Sequence, residues 1–283
     1  LPMIGFGQFT YVPDDNFELA LINLGYDTNL DDYVPTANID TITSLDLSNN
    51  WFGLNITDLT GIEDFDSLQT LSCQVNQLTS LDVSNNTALI ELNCSSNQLD
   101  SLDVSANTIL TKLVCYDNQL TSIDVSNNLA LEWLWIGSSG YYPGNLITSL
   151  DVSNNTALTN LACSMNNLDT LDVSANTVLD TLECANNNLN TLDVSVNTSL
   201  KYLQCADNNL DTLDVSANTA LTNLYCQINQ LTSLDVSQNT ALTNLQCQNN
   251  QLTSLDVSTN TALIELRCAY NQLTSIDLRN GNN

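Results

Sequence analysis

Residues 89–109 read LIELNCSSNQLDSLDVSANTI, and residues 221–241 read LTNLYCQINQLTSLDVSQNTA. The two segments match in phase: Leu89, Leu92, Cys94, Asn97 and Leu99 answer to Leu221, Leu224, Cys226, Asn229 and Leu231. The pattern L-x-x-L-x-C-x-x-N-x-L returns along the chain. All nine cysteines (Cys73, Cys94, Cys115, Cys163, Cys184, Cys205, Cys226, Cys247 and Cys268) fall at one phase of a 21-residue period. A unit this short cannot bury its apolar face alone and must stack on its neighbours, which is the condition that builds a solenoid.

Ten units begin at Leu68, Leu89, Leu110, Leu131, Leu158, Leu179, Leu200, Leu221, Leu242 and Leu263, and only the fourth is longer, at 27 residues. In it Ile136 replaces Cys, Ser139 is read at the Asn position, and six extra residues fall within 139–146. Insertions in a single repeat map to loops on one face, where binding often resides. The chain therefore divides into an arm at 1–8, a cap at 9–42 and a solenoid at 43–283, the solenoid comprising an irregular first unit (43–67) and ten units (68–283). The irregular unit carries Leu45, Leu47 and Asn50, then Ile56, Leu59, Ile62, Phe65 and Leu68 at three-residue spacing.

Each unit has a second half that nearly repeats the first, as in Leu99, Leu102, Val104 and Asn107. Its inward Leu and Val alternate with polar residues, so period-two patterning predicts two short strands per coil, one on each side of a thin apolar core. The Asn columns fall where the chain turns, and their amides are expected to satisfy backbone groups of their own and adjacent coils. In the cap, Phe17, Ala20, Leu21 and Leu24 form a helical stripe within 12–25, Asp15 and Glu18 have capping-box spacing, and Gly25 suits a helix stop. This helix is expected to cover the open end of the stack.

Among 283 residues, 32 are acidic and 4 basic, a formal net charge of -28. Such a field repels phosphate backbones and anionic lipid, which excludes nucleic acid as a partner. No stretch approaches the ~18 apolar residues of a membrane span, so no membrane insertion is expected. Histidine is absent, and with it the commonest general base and metal ligand. The apolar Leu1–Gly7 reads either as the remnant of a secretory signal cleaved near Gly7 or Gln8, or as an ordered arm. Stacked strands lie ~4.8 Å apart, beyond the ~3.5–4.5 Å between Cβ atoms of a disulfide. The cysteines are therefore expected to form a column of buried free thiols. Asp27, Asn29 and Asp31 place alternate oxygens as at the start of an EF-hand loop, but Asp32 and Asn38 stand where that loop needs Gly and Glu.

The L-x-x-L-x-C-x-x-N-x-L segment is similar to the leucine-rich-repeat core motif with Cys at its third apolar position. The T-S-L-D-V-S-x-N half resembles that of bacterial surface proteins of the internalin-like short-repeat type. The resemblance covers 43–283. It implies an α/β repeat solenoid: a leucine-rich repeat fold, mostly parallel β, with coils of ~21 residues behind an N-terminal capping helix. It further implies a curved extracellular scaffold, secreted or at the cell surface, with its ligand on the concave sheet.

The repeats also differ among themselves. In the second half the position before Val or Leu is always Asp: Asp82, Asp103, Asp124, Asp151, Asp172, Asp193, Asp214, Asp235, Asp256 and Asp277. In the first half the position before Cys (Ile136 in the fourth unit) runs Ser72, Asn93, Val114, Trp135, Ala162, Glu183, Gln204, Tyr225, Gln246 and Arg267. A face that builds the stack repeats itself, whereas a face that reads a ligand diversifies. Candidate ligand-binding residues are Tyr116, Trp133, Trp135, Tyr141 and Tyr142 near the insertion, with Tyr202, Tyr225, Arg267 and Tyr270 as a sparser stripe. Exposed aromatics suit protein hot spots and sugar stacking alike, while Trp133 and Trp135 could equally pack beneath the inserted loop. The Asp column is either a solvated acidic face with local hydrogen bonds or a set of weak Ca²⁺ ligands, calcium being the sole cofactor weighed.

The sequence thus predicts a monomeric, non-catalytic module that binds a protein or a glycan. An ice-binding solenoid is one rival, but its Thr column (Thr79, Thr121, Thr148, Thr232, Thr253, Thr274) is broken by Asp100, Asp169 and Asp211. A structural surface scaffold and a glycan-active enzyme are the others, the enzyme having only Glu183 with Asp207 as a passable carboxylate pair.

Overall fold

The computed structural model describes residues 8–48, 54–138, 140 and 144–276. Leu1–Gly7, Asn50, Ser139, Tyr141, Tyr142 and Asp277 lie outside the described residues. In each coil an x-Leu-x triplet forms a three-residue strand. These are β3 (Ser44–Asp46), β4 (Thr70–Ser72), β5 (Glu91–Asn93), β6 (Lys112–Val114), β7 (Trp133–Trp135), β8 (Asn160–Ala162), β9 (Thr181–Glu183), β10 (Tyr202–Gln204), β11 (Asn223–Tyr225), β12 (Asn244–Gln246) and β13 (Glu265–Arg267). They form one 11-stranded parallel sheet in chain order. The constant period keeps every central Leu opposite the next, as in Leu92↔Leu113 and Leu113↔Leu134. The long coil also holds register, with Trp135 opposite Ala162, so its extra residues do not disturb the sheet.

Behind the sheet lie columns of Leu, Cys and Val with almost no exposure. All nine cysteines are free; eight are buried, and only Cys268, on the last described coil, is half-exposed. After each Cys the chain turns through a left-handed residue, such as Ser96 at φ 53° or Ile228 at φ 57°. The Asn that follows clasps two coils. Asn97 Nδ2 donates to the carbonyls of Cys73 and Cys94, both at 3.0 Å, and its Oδ1 accepts the Leu78 N–H at 3.0 Å.

The predicted second strand is not formed. Among the described residues that side of the coil holds only an isolated bridge, Asp82↔Asp103. Alternating Leu-Asp-Val reads as a strand, but the Asp side chain competes for the backbone: Asp103 Oδ1 accepts the Ser105 N–H at 2.8 Å. Two tight turns follow, closed by Asn107 N–H to Val104 O and Leu110 N–H to Asn107 O, both at 3.0 Å.

The ladder corrects the fourth unit. Asn145, not Ser139, fills the Asn position: its Nδ2 donates to Cys115 O (3.0 Å) and Ile136 O (2.8 Å), and its Oδ1 accepts the Leu120 N–H (3.0 Å). The insertion thus lies between Ile136 and Asn145. It leaves and returns through Gly137 and Gly144, where a Cβ would come within 2.6 Å of Ser164 O and 2.0 Å of Met165 O respectively.

In the cap, β1 (Phe9–Tyr11) pairs antiparallel with β2 (Tyr33–Pro35), and α1 (Asp15–Asn23) joins the core of the stack through Phe17, Ala20 and Leu21. Phe17 of α1 stacks on Phe65, ring centroids 6.4 Å apart, so the helix seals the first coil as expected. Its N-cap is Asp14 rather than Asp15: Oδ1 accepts the N–H groups of Asn16 and Phe17 at 2.9 Å. Asp14 Oδ2 takes the Thr57 N–H, the Thr57 hydroxyl and the Asp58 N–H, tying cap to solenoid. Burial alone would raise this carboxyl, but those hydrogen bonds hold it below its ordinary value. Glu18 closes no capping box. It accepts the N–H groups of Asp31, Asp32 and Tyr33, which makes the EF-hand-like loop a backbone clasp. Gly25, at φ 84°, ends the helix: its N–H donates to Ile22 O while Tyr26 N–H donates to Leu21 O.

Candidate functional site

The outer face of the sheet is built from the two flanking residues of each triplet, because the central Leu points into the core. Ten strands, β4 to β13, place only Glu91, Lys112, Glu183, Glu265 and Arg267 as charged residues there, a nearly neutral strip on a chain of charge -28. The remaining outward positions are amides, hydroxyls, small residues and aromatics.

Two aromatic groups stand on this strip. Tyr116, just past β6, meets Trp135 of β7 with ring centroids 4.5 Å apart and planes at 39°. Trp133 is 39% exposed, and the Lys112 ammonium sits 5.6 Å from its ring centroid. Lys112 also pairs with Glu91 at 3.7 Å, so Glu91, Lys112 and Trp133 form one row across three strands. Three strands beyond β7, Tyr202 and Tyr225 stand 5.3 Å apart at 53°. Between the groups the floor is low, with Ala162 half-buried and Ala185 buried.

The remaining sequence candidates are not drawn into these groups. Arg267 is paired with Glu265 on its own strand, and Tyr270, 82% exposed, occupies the left-handed turn after it. Tyr141 and Tyr142 lie outside the described residues. Glu183 is half-buried on β9, while Asp207 occupies a left-handed turn (φ 54°), so the two carboxylates of the enzyme reading sit on different elements. Sequence reasoning missed Lys112. Its signal was rarity: it is one of four basic residues, one coil ahead of a Trp at the same phase.

The Asp column lies on the second halves of the coils. From Asp82 to Asp256 each Oδ1 accepts the N–H of the Ser two residues on, as Asp193 does from Ser195 at 2.9 Å. The Ser195 hydroxyl and then its amide hold the Asp193 carboxyl below its ordinary value. Over three coils the column borders an open trough of ≈ 760 Å³, lined by Leu81, Leu102 and Ile123 with the adjoining Ser and Asp side chains. Among the described residues no three His, Cys, Asp or Glu side chains are grouped to hold a metal ion. No described helix is long and apolar enough to cross a membrane.

No family model matches the chain. Over 77 residues, 27% of its length, it is 43% identical to Internalin J of Listeria monocytogenes serotype 4b (strain F2365), of which that stretch is 8%. The solved functional domain of InlJ from Listeria monocytogenes, which includes a cysteine ladder, is 36% identical with a TM-score of 0.77, over 97% of this chain and 65% of that one. The chain is an internalin-like leucine-rich repeat protein. A leucine-rich repeat protein of Leptospira interrogans is 25% identical with a TM-score of 0.75, over 86% of this chain and 64% of that one. This internalin-like chain thus spans less than two thirds of each of these relatives.

Proposed function

We propose that this internalin-like chain is a non-catalytic protein-binding module that works outside the cell and reads its partner with the outer sheet face around Trp135. The carrying observation is the Tyr116, Trp133 and Trp135 group. The stack needs no aromatic there, since the same positions hold Asn160 and Ala162 one coil later in an equally regular strand. Rigid aromatics with little conformational entropy to lose are the side chains that dominate protein interfaces. The nearly neutral strip avoids the desolvation cost that a charged face would impose on a bound partner. The extracellular placement rests on the resemblance to internalins.

Screening the full chain against arrays of extracellular proteins and of glycans, beside Trp135→Ala, tests the reading. Protein partners lost in the variant support it. Glycan partners alone, or protein partners indifferent to the variant, contradict it.

A further inference from the structure

We infer that Glu183, Gln204 and Tyr225, with Tyr202 beside them, form a socket for a basic side chain, lysine or arginine, supplied by the partner protein. The inference rests on the protein-binding reading of this sheet face and names the chemistry of one contact within it.

The argument starts from an internal comparison. Parallel register aligns Glu91, Lys112 and Trp133 in one row, a carboxylate, a cation and an aromatic on successive strands. The same register aligns Glu183, Gln204 and Tyr225 on β9, β10 and β11. This second row has the carboxylate and the ring, but a neutral amide where the cation stands in the first. A cation held over Gln204 would lie about 4.8 Å, one strand spacing, from each flanking strand, within reach of both the carboxylate and the ring face.

Among the described residues the chain supplies no such cation itself. Its three described basic residues are engaged elsewhere: Lys112 with Glu91, Lys201 with Asp180 and Arg267 with Glu265. Glu183 meanwhile sits half-buried, and burial pushes its carboxyl above the ordinary glutamate value. The stack does not ask for a carboxylate there, because Asn93, Gln204 and Gln246 hold the equivalent place on other strands. A half-buried carboxylate with no ion pair among the described residues, at a position free to be neutral, is an arrangement that an incoming cation relieves.

The rings are held ready. Tyr202 hydroxyl lies 3.3 Å from Gln204 Oε1, and Asn223 Nδ2 donates to the Tyr225 hydroxyl at 3.1 Å. Burial, with Glu183 and Tyr225 behind it, pushes the Tyr202 phenol up to about 12, so it stays a neutral ring. Two tyrosine faces with a carboxylate suit an ammonium or guanidinium group. The net charge of -28 steers a basic segment toward the molecule.

The test titrates the full chain with N-acetyl-lysine methylamide and N-acetyl-arginine methylamide at matched ionic strength, following the aromatic NMR resonances of Tyr202 and Tyr225. Both probes should shift these resonances saturably, and the Nε-acetylated lysine probe should not. Glu183→Gln should weaken binding at least about fivefold, as expected for losing a charge-assisted contact. Gln204→Lys, which supplies the missing cation internally, should abolish probe binding and raise the melting temperature. Equal binding by wild type and Glu183→Gln, equal binding of the acetylated probe, or shifts confined to the Asp column would overturn the socket. Trp135→Ala should leave the titration unchanged. The probes need no natural partner, so this outcome stands apart from whether the sheet face around Trp135 binds one.

Discussion

Asn97 and Asn107 occupy two turns of one coil and bind the preceding coil by different means. Asn97 both donates, to the Cys73 carbonyl, and accepts, from the Leu78 N–H. Asn107 only donates, to Val83 O at 3.1 Å and Asn86 O at 2.9 Å, while its buried Oδ1 has no partner among the described residues. Removing Asn97 strands a buried N–H; removing Asn107 strands only carbonyls, which tolerate it better. Asn97→Ala should therefore cost more than Asn107→Ala by about 1–2 kcal/mol in urea unfolding. Equal costs would mean that the acceptor half of the first column contributes nothing.

Ile228 holds φ 57° while 48% exposed, a conformation that β-branched residues resist. Asn186 and Asn249 already occupy the equivalent turns. Ile228→Asn should stabilise the chain by about 1 kcal/mol, since left-handed backbone costs most side chains that much or more. A loss of stability in unfolding curves would show that the Ile side chain contributes more through packing than the turn loses.

Burial pushes the thiols of Cys94, Cys163, Cys205 and Cys247 up to about 12, so the reactive thiolate is scarce at neutral pH. With a water-soluble maleimide the native protein should label promptly only at Cys268, and the eight buried thiols only on unfolding. Prompt native labelling at several positions would contradict the inward column.

The aspartate turns should show as a pH dependence. Asp193 has its folded value below the unfolded reference of 3.8, so its contribution is present above that pH and is lost as pH falls through the folded value. The gap in melting temperature between wild type and Asp193→Ala should be wider at pH 6 than at pH 3. A gap that is constant, or wider in acid, would mean that the Ser195 hydrogen bonds do not favour the carboxylate. Glu183 works the other way. Its value is raised, so its charge weakens the fold as pH climbs through that range, and Glu183→Gln should not destabilise the free protein at neutral pH.

Much of this fold was legible because a strict period converts sequence directly into register. The phase of Cys94 placed every other Cys, and the contrast between Ser72 or Trp135 and the unvarying Asp column separated the variable sheet face from the constant opposite side of the coil. What the sequence hid was competition among hydrogen bonds. Asp103 takes the Ser105 N–H and so prevents the second strand that Leu102 and Val104 advertise. Asp14 reaches both α1 and Thr57, which displaces the cap by one residue from Asp15. Asn145 completes the ladder from beyond the insertion, where counting from Ile136 had pointed to Ser139. The row of Glu183, Gln204 and Tyr225 needs strand register as well as phase, and single-unit reading sees only one member at a time.

The central claim, that the sheet face around Trp135 recognises a protein, is tested most directly by titrating the tightest protein partner from an extracellular array against wild type, Trp135→Ala and Gln246→Ala. Trp135 packs on Tyr116 at an outward position of β7, and Gln246 stands outward on β12, five strands away. The account predicts that Trp135→Ala raises Kd at least about tenfold, some 1.4 kcal/mol, with the melting temperature nearly unchanged, and that Gln246→Ala leaves Kd as it was. An unchanged Kd for Trp135→Ala together with a lowered melting temperature would contradict it, showing that the aromatic group packs the coil and that recognition lies elsewhere.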